Sequence, residues 1–103
     1  MPAIPLDPYI LDVLMPDLTA HDKRPSAFLV YLHLWRNTIA ASRRTAQISY
    51  QQMAEGTGLS KSAAQGAVKL LKRRKLLTVE LRNPTATPIY RVERPWLRRK
   101  QQA

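Results

Sequence analysis

The chain has 103 residues, of which 17 are Lys or Arg and 7 are Asp or Glu, so its formal net charge is +10. This length fits one domain. Because the sequence contains no cysteine, it excludes disulfide scaffolds, thiolate metal sites and thiol nucleophiles.

Residues 1–22 are predicted to form an N-terminal arm. Asp7 followed by Pro8 is typical of a helix start, and a short helix is expected from Tyr9 to Leu14, ending before Pro16. The arm is apolar on more than one side. It must therefore pack on its own domain or on a second copy of the chain, as a dimer element, and both alternatives stay open.

Residues 23–97 are predicted to form a domain with three helices. Apolar residues at steps of three and four predict the first helix at about 25–41. Thr45 to Ile48 is a short β-prone segment. Ser49 and Gln52 have the spacing of a capping box for the second helix, about 50–56, which the following glycines end. Ser60 is expected to cap the third helix, 61–74.

A β-hairpin is predicted for residues 76–92. Apolar and polar residues alternate from Leu77 to Arg82, as in a half-buried strand, and Ile89 to Val92 forms the return strand after a proline-containing loop. Residues 98–103 form a basic tail. The fold class is therefore mainly α with a small β-hairpin. A helix-turn-helix followed by a hairpin is a winged helix-turn-helix, with a three-helix core and a wing.

The charge is unevenly distributed along the chain. Residues 1–22 contain aspartates but no Lys or Arg, so all 17 basic residues lie in 23–103. A body this basic attracts polyanions such as DNA, RNA or an anionic membrane surface. Charge alone does not separate these partners from a role in solubility.

Two segments resemble bacterial winged-helix proteins. The segment 53–64 (MAEGTGLSKSAA) is similar to the helix-turn-helix of MarR-like regulators and of generic modules in replication-initiator proteins, with Gly58 at a turn that favours positive φ. The segment 70–77 (LLKRRKLL) is similar to their exit from recognition helix to wing. The resemblance covers about residues 25–95. Those families usually have glycine where Lys75 stands, so Lys75 either adopts a left-handed conformation or the chain exits differently.

The resemblance implies that the third helix, about 60–74, enters the DNA major groove and that the hairpin acts as a wing. Gln65 is the candidate for reading a base edge, because an amide pairs bidentately with adenine. Ala63 and Gly66 are small and let the helix sit deep in the groove. The expected DNA-binding residues are Lys61, Ser62, Ala63, Gln65, Gly66, Lys69, Lys72, Arg73, Arg82 and Arg91.

The remaining basic residues and the aromatic residues have expected roles too. The basic run from Lys69 to Lys75 is expected to contact phosphates. Arg82 and Arg91 are expected to flank the hairpin tip and reach phosphates or the minor groove. Arg43 and Arg44 are further candidates for backbone contacts. The aromatic side chains, which could stack on single-stranded bases, are expected in the core.

We expect no enzymatic activity, no cofactor and no metal site, because His21 and His33 have no catalytic or ligand spacing around them. Two functions remain. The first is double-stranded DNA binding by a small bacterial transcriptional regulator, a cytoplasmic homodimer with no membrane partner and no evident small-molecule effector. The alternative is a winged-helix protein-interaction module, an adaptor with its basic surface against an acidic partner.

Overall fold

The computed structural model describes residues 3–97, so the predicted basic tail 98–103 lies outside the described residues. The described chain is mainly helical, with a small antiparallel sheet, as predicted at that level. The helices are α1 (Pro25–Asn37), α2 (Tyr50–Thr57) and α3 (Lys61–Arg73). The strands are β1 (Ala46–Gln47), β2 (Leu77–Glu80) and β3 (Ile89–Val92), in the sheet order β1-β3-β2.

The predicted caps of α2 and α3 are confirmed. The Ser49 hydroxyl accepts a hydrogen bond from the Gln52 backbone N–H at 3.1 Å, and the Gln52 side chain accepts one from the Ser49 N–H at 2.9 Å. The Ser60 hydroxyl accepts from the Ala63 N–H at 3.1 Å. Gly58, with φ of 81°, ends α2 in the left-handed conformation that glycine adopts without strain. Gly56 does not end α2, because it lies inside the helix.

Helix α1 is shorter than the predicted span of about 25–41. It ends at Asn37, and a separate 3-10 turn covers Ile39–Ala41. Thr38, which is fully buried, separates the two: its hydroxyl donates to the Leu34 carbonyl at 2.7 Å, while its own carbonyl accepts from the Arg43 N–H at 2.8 Å. Such local hydrogen bonds compete with the helical ladder and end it.

The hairpin forms with its apolar positions facing the core. Leu77 pairs with Val92 and Val79 with Tyr90, while β1 extends the sheet by pairing with the other edge of β3. The predicted burial of Leu81 is wrong, because β2 ends at Glu80 and Leu81 is 55% exposed. The next residue on the opposite strand is Pro88, which has no N–H to continue the ladder.

The arm is helical beyond Pro16, so the predicted helix end before this proline is wrong. Helical backbone runs from Pro8 to His21 and includes two π-helical segments, Ile10–Leu14 and Asp17–His21. Proline lacks an N–H and its ring crowds the preceding turn of an α-helix. The wider π-helical turn before it, closed by the Met15 N–H on the Ile10 carbonyl, gives the ring more room.

One side of the arm packs into the core of its own chain. Ile10, Leu14 and Leu18 are buried together with the residues of α1 and α3. The arm helix starts at Pro8 as predicted, with the Asp7 carbonyl accepting a hydrogen bond from the Ile10 N–H at 3.0 Å, but the Asp7 carboxylate does not cap it and accepts a hydrogen bond from the Trp96 indole at 3.2 Å. The inner side of the arm therefore belongs to the core. The predicted core role of the aromatic residues is confirmed for Phe28, Tyr31, Trp35, Tyr90 and Trp96.

Candidate nucleic-acid interface

Helix α3 has one polar face and one core face. At 100° per residue, the exposed side chains fall within an arc of about 120°. They are Lys61, Ser62, Gln65, Lys69, Lys72 and Arg73. The buried residues of the helix lie outside this arc and are Ala64, Ala67, Val68, Leu70 and Leu71. The helix therefore presents a continuous polar and basic surface, with Gln65 near its middle.

Ala63 and Gly66 lie outside this arc. Both are half-buried. A Cβ added at Gly66 would lie 2.7 Å from Nη1 of Arg24, so the Arg24 guanidinium rests against the helix there. Close insertion of α3 into the major groove through Ala63 and Gly66 would require these two residues to lie on the exposed face of the helix. They do not lie there. The sequence analysis does not identify Arg24 as a neighbour of α3. The signal for a close neighbour is Gly66 itself, because a glycine inside a helix lowers helix stability by about 1 kcal/mol relative to alanine and has no turn role here.

The α3 lysines and the hairpin meet across a shared groove. Lys69 and Lys72 line a cavity of about 380 Å³ whose other wall includes Leu81 and Pro84 of the hairpin loop. Arg82 is exposed in the same loop. The structure therefore brings the lysines of α3 and the hairpin loop to one surface.

Asn83 has a structural task in the loop. Its side-chain oxygen accepts hydrogen bonds from the Thr85 backbone N–H at 3.1 Å and from the Thr85 hydroxyl at 3.0 Å. This arrangement is an Asx turn, which stabilises the loop locally.

Arg91 does not flank the hairpin tip, which corrects the sequence-based placement. The strand register puts it opposite Thr78, at the end of the hairpin remote from the loop. There it lines a cavity of about 370 Å³ together with Lys72 and Lys75. The sequence-based placement was wrong because the sequence of β3 alone does not give the register, that is, which residue of β2 pairs with each residue of β3.

The end of α3 is closed by Lys75 in a left-handed conformation, with φ of 59°. The Lys75 N–H donates to the Lys72 carbonyl at 3.0 Å, and the Leu76 N–H donates to the Leu71 carbonyl at 2.9 Å. These two bonds form a Schellman motif, which normally favours glycine at this position. Of the two alternatives for Lys75, the structure has the left-handed one, and the chain turns directly into β2.

Arg74 belongs to an ion-pair cluster, so its side chain does not share the exposed basic surface of Lys69, Lys72 and Arg73. Its guanidinium binds Asp17 at 2.5 Å through Nη2 and Asp22 through Nη1. The hydrogen bond from His21, together with the pairing to Arg74, lowers the pKa of Asp22 despite the opposing effect of burial. Asp22 does not cap α1, because Arg24 is the residue at the N-cap position. The cluster fastens the arm to the end of α3, and the sequence separation of the partners hid it from local reasoning.

His33 does not add to the positive surface in the way that the lysines do. Burial lowers the pKa of His33, so this ring is neutral at neutral pH. Within residues 3–97, no three His, Asp or Glu side chains cluster as metal ligands do. The absence of a metal, of a cofactor and of enzymatic activity stays a prediction.

Comparisons with protein-family models, with curated proteins and with solved structures found no match. Among the helices that the structure describes, none is both long and apolar enough to cross a membrane. The function is therefore inferred from the geometry and charge of this chain.

Proposed function

We propose that this protein is a double-stranded DNA-binding winged helix-turn-helix protein, a small bacterial transcriptional regulator similar to the MarR-like class. Helix α3 is the recognition helix and the β2–β3 hairpin is the wing. The observation that carries the proposal is the exposed face of α3, where a central amide is surrounded by lysines that share a groove with the hairpin loop.

The side chains on α3 divide into two roles. Gln65 is exposed near the middle of the face, where its amide reaches a base edge in a groove about 12 Å wide. Lys69, Lys72 and Arg73 lie toward the C-terminal end and neutralise phosphates, which position the helix without reading sequence. Arg82, exposed in the hairpin loop, supplies a wing contact to phosphates or the minor groove.

The test is the salt dependence of binding to random duplex DNA, measured by fluorescence anisotropy. The variant Lys69→Gln/Lys72→Gln removes two charges from the groove between α3 and the hairpin. The log–log salt slope should become shallower by about 2, because each phosphate contact contributes about 0.9.

The control variant Lys23→Gln/Arg36→Gln has the same net charge as Lys69→Gln/Lys72→Gln. It replaces two exposed basic side chains that lie outside α3 and the hairpin. It should bind almost as the unmodified protein does. If both variants weaken binding equally, general charge rather than the α3 face drives binding. If the unmodified protein binds no duplex at low salt, the DNA proposal is wrong and the alternative, an adaptor for an acidic protein, takes its place.

The outer side of the arm supports a protein contact as well. Leu11, Val13 and Met15 remain exposed although their neighbours are in the core. We propose that these exposed side chains join two copies into a cytoplasmic homodimer, which gives a small DNA-binding module the contact area that one copy lacks. Sedimentation equilibrium should show a dimer that Leu11→Gln/Val13→Gln converts to a folded monomer. A monomer at all concentrations would refute this assignment.

A further inference from the structure

A second basic surface lies beside β3, away from the groove between α3 and the hairpin loop. A cavity of about 390 Å³ there is lined by Arg43, Arg44, Arg91 and Arg94, and Glu93 is the acidic residue among the described residues that line it. Arginine guanidinium groups bind phosphates through paired N–H donors. A cavity lined by four arginine side chains is therefore suited to bind an anionic ligand.

Two of these arginines are held in place by other side chains. Nη1 of Arg94 lies 3.5 Å from the Asp7 carboxylate, and its Cζ lies 5.7 Å from the centroid of the Trp35 ring. Nε of Arg91 lies 3.4 Å from the Glu93 carboxylate, which also accepts a hydrogen bond from Thr78 at 2.9 Å. These contacts fix the positions of the guanidinium groups and offset part of their charge.

The other two arginines supply charge that is not offset. Arg43 and Arg44 are exposed. They lie at the end of a backbone turn in which the Arg43 N–H donates a hydrogen bond to the Thr38 carbonyl at 2.8 Å. Within the part of the chain that the structure describes, neither side chain joins an ion pair. The turn therefore fixes the backbone from which both side chains reach the cavity that they line.

The arginine cavity is continuous with the α3 surface. Lys72 lines both the groove beside the hairpin loop and the cavity that contains Lys75 and Arg91. Arg91 in turn lines both that cavity and the arginine cavity. A line of positive charge thus runs from Lys69 across the end of α3 and the outer side of β3 to Arg43.

We propose that the arginine cavity binds a phosphodiester group of the same DNA duplex, outside the stretch that α3 contacts. This inference rests on the proposed function. The longest dimension of the molecule is 41 Å. At about 3.4 Å per base pair, this length corresponds to about 12 base pairs, so a duplex of about 20 base pairs is long enough to lie along both surfaces, whereas one of about 8 base pairs is shorter than the molecule.

The test compares random duplexes of about 8 and about 20 base pairs, or about 27 and about 68 Å. Anisotropy titrations would use the unmodified protein and Arg43→Gln/Arg44→Gln. On the long duplex, this variant should have a salt slope shallower by about 2 and bind about 50-fold more weakly at 0.1 M salt. On the short duplex, it should bind as the unmodified protein does.

Two matched variants separate the possible failures. Lys69→Gln/Lys72→Gln should weaken binding to both duplexes, and Lys23→Gln/Arg36→Gln should affect neither. Unchanged binding of Arg43→Gln/Arg44→Gln to the long duplex would overturn the inference while leaving the α3 proposal standing. An equal loss on both duplexes would also overturn it, because the cavity would then not be a separate, more distant contact. Absence of any duplex binding by the unmodified protein would overturn both proposals.

Discussion

Leu18 and Leu11 belong to the same arm, but alanine at the two positions should have very different effects. Leu18 is fully buried, whereas Leu11 is 46% exposed. Leu18→Ala removes apolar volume from the packed core and leaves a cavity, which costs about 3 kcal/mol of unfolding free energy. Leu11→Ala should cost less than about 0.5 kcal/mol, as exposed substitutions do.

Urea unfolding followed by fluorescence of the buried Trp35 and Trp96 measures this difference. A domain of this size is stable by about 5–15 kcal/mol, so the Leu18 variant should fold but lose about 12–24 °C in Tm. The measurement is made at a low protein concentration, where the proposed dimer dissociates. Equal losses for Leu18→Ala and Leu11→Ala would refute the placement of the arm in the core.

Three further changes test local features of the fold. Lys75→Gly should raise the unfolding free energy by about 0.5–1 kcal/mol in urea titrations, because glycine adopts the left-handed conformation without strain; a loss would contradict the Schellman closure. Gly66→Ala should raise Tm by about 3–6 °C, since the flexible guanidinium beside it can move and helix propensity improves; a lower Tm would show that this guanidinium cannot yield. Asp22→Asn should lower the unfolding free energy at pH 7 by about 1 kcal/mol. The lowered pKa of Asp22 means that its contribution is present above the unfolded value of 3.8 and is lost as the pH falls through the folded value. The difference between Asp22→Asn and the unmodified protein should therefore shrink as the pH falls below 3.8, and a constant difference would contradict the ion-pair account.

Local chemistry made much of the fold predictable. The capping side chains of Ser49 and Ser60 act within three residues of themselves, so their partners can be read along the chain. The left-handed Gly58 is predictable for the same reason. The exposed face of α3 follows from helical periodicity once its ends are known.

Features that depend on distant partners were not predictable. Arg74 looks like any member of a basic run until the fold brings it to Asp17, and Gly66 looks open until Arg24 is placed. Arg91 needed the strand register, which residue counting does not give. The arm continued through Pro16 because π-helical turns widened the backbone, and no periodicity of 3.6 residues signals such turns.

Contact between the α3 face and DNA can be mapped residue by residue. The measurement is a ¹H–¹⁵N NMR titration of the protein at low salt with a random duplex of about 8 base pairs, on which the arginine cavity should make no contribution. We expect chemical-shift changes concentrated in residues 61–73 and in the hairpin loop 81–88, with the amides of Leu11 to Met15 unaffected by the duplex. Changes confined to the arm and α1, or no change at all, would contradict the account.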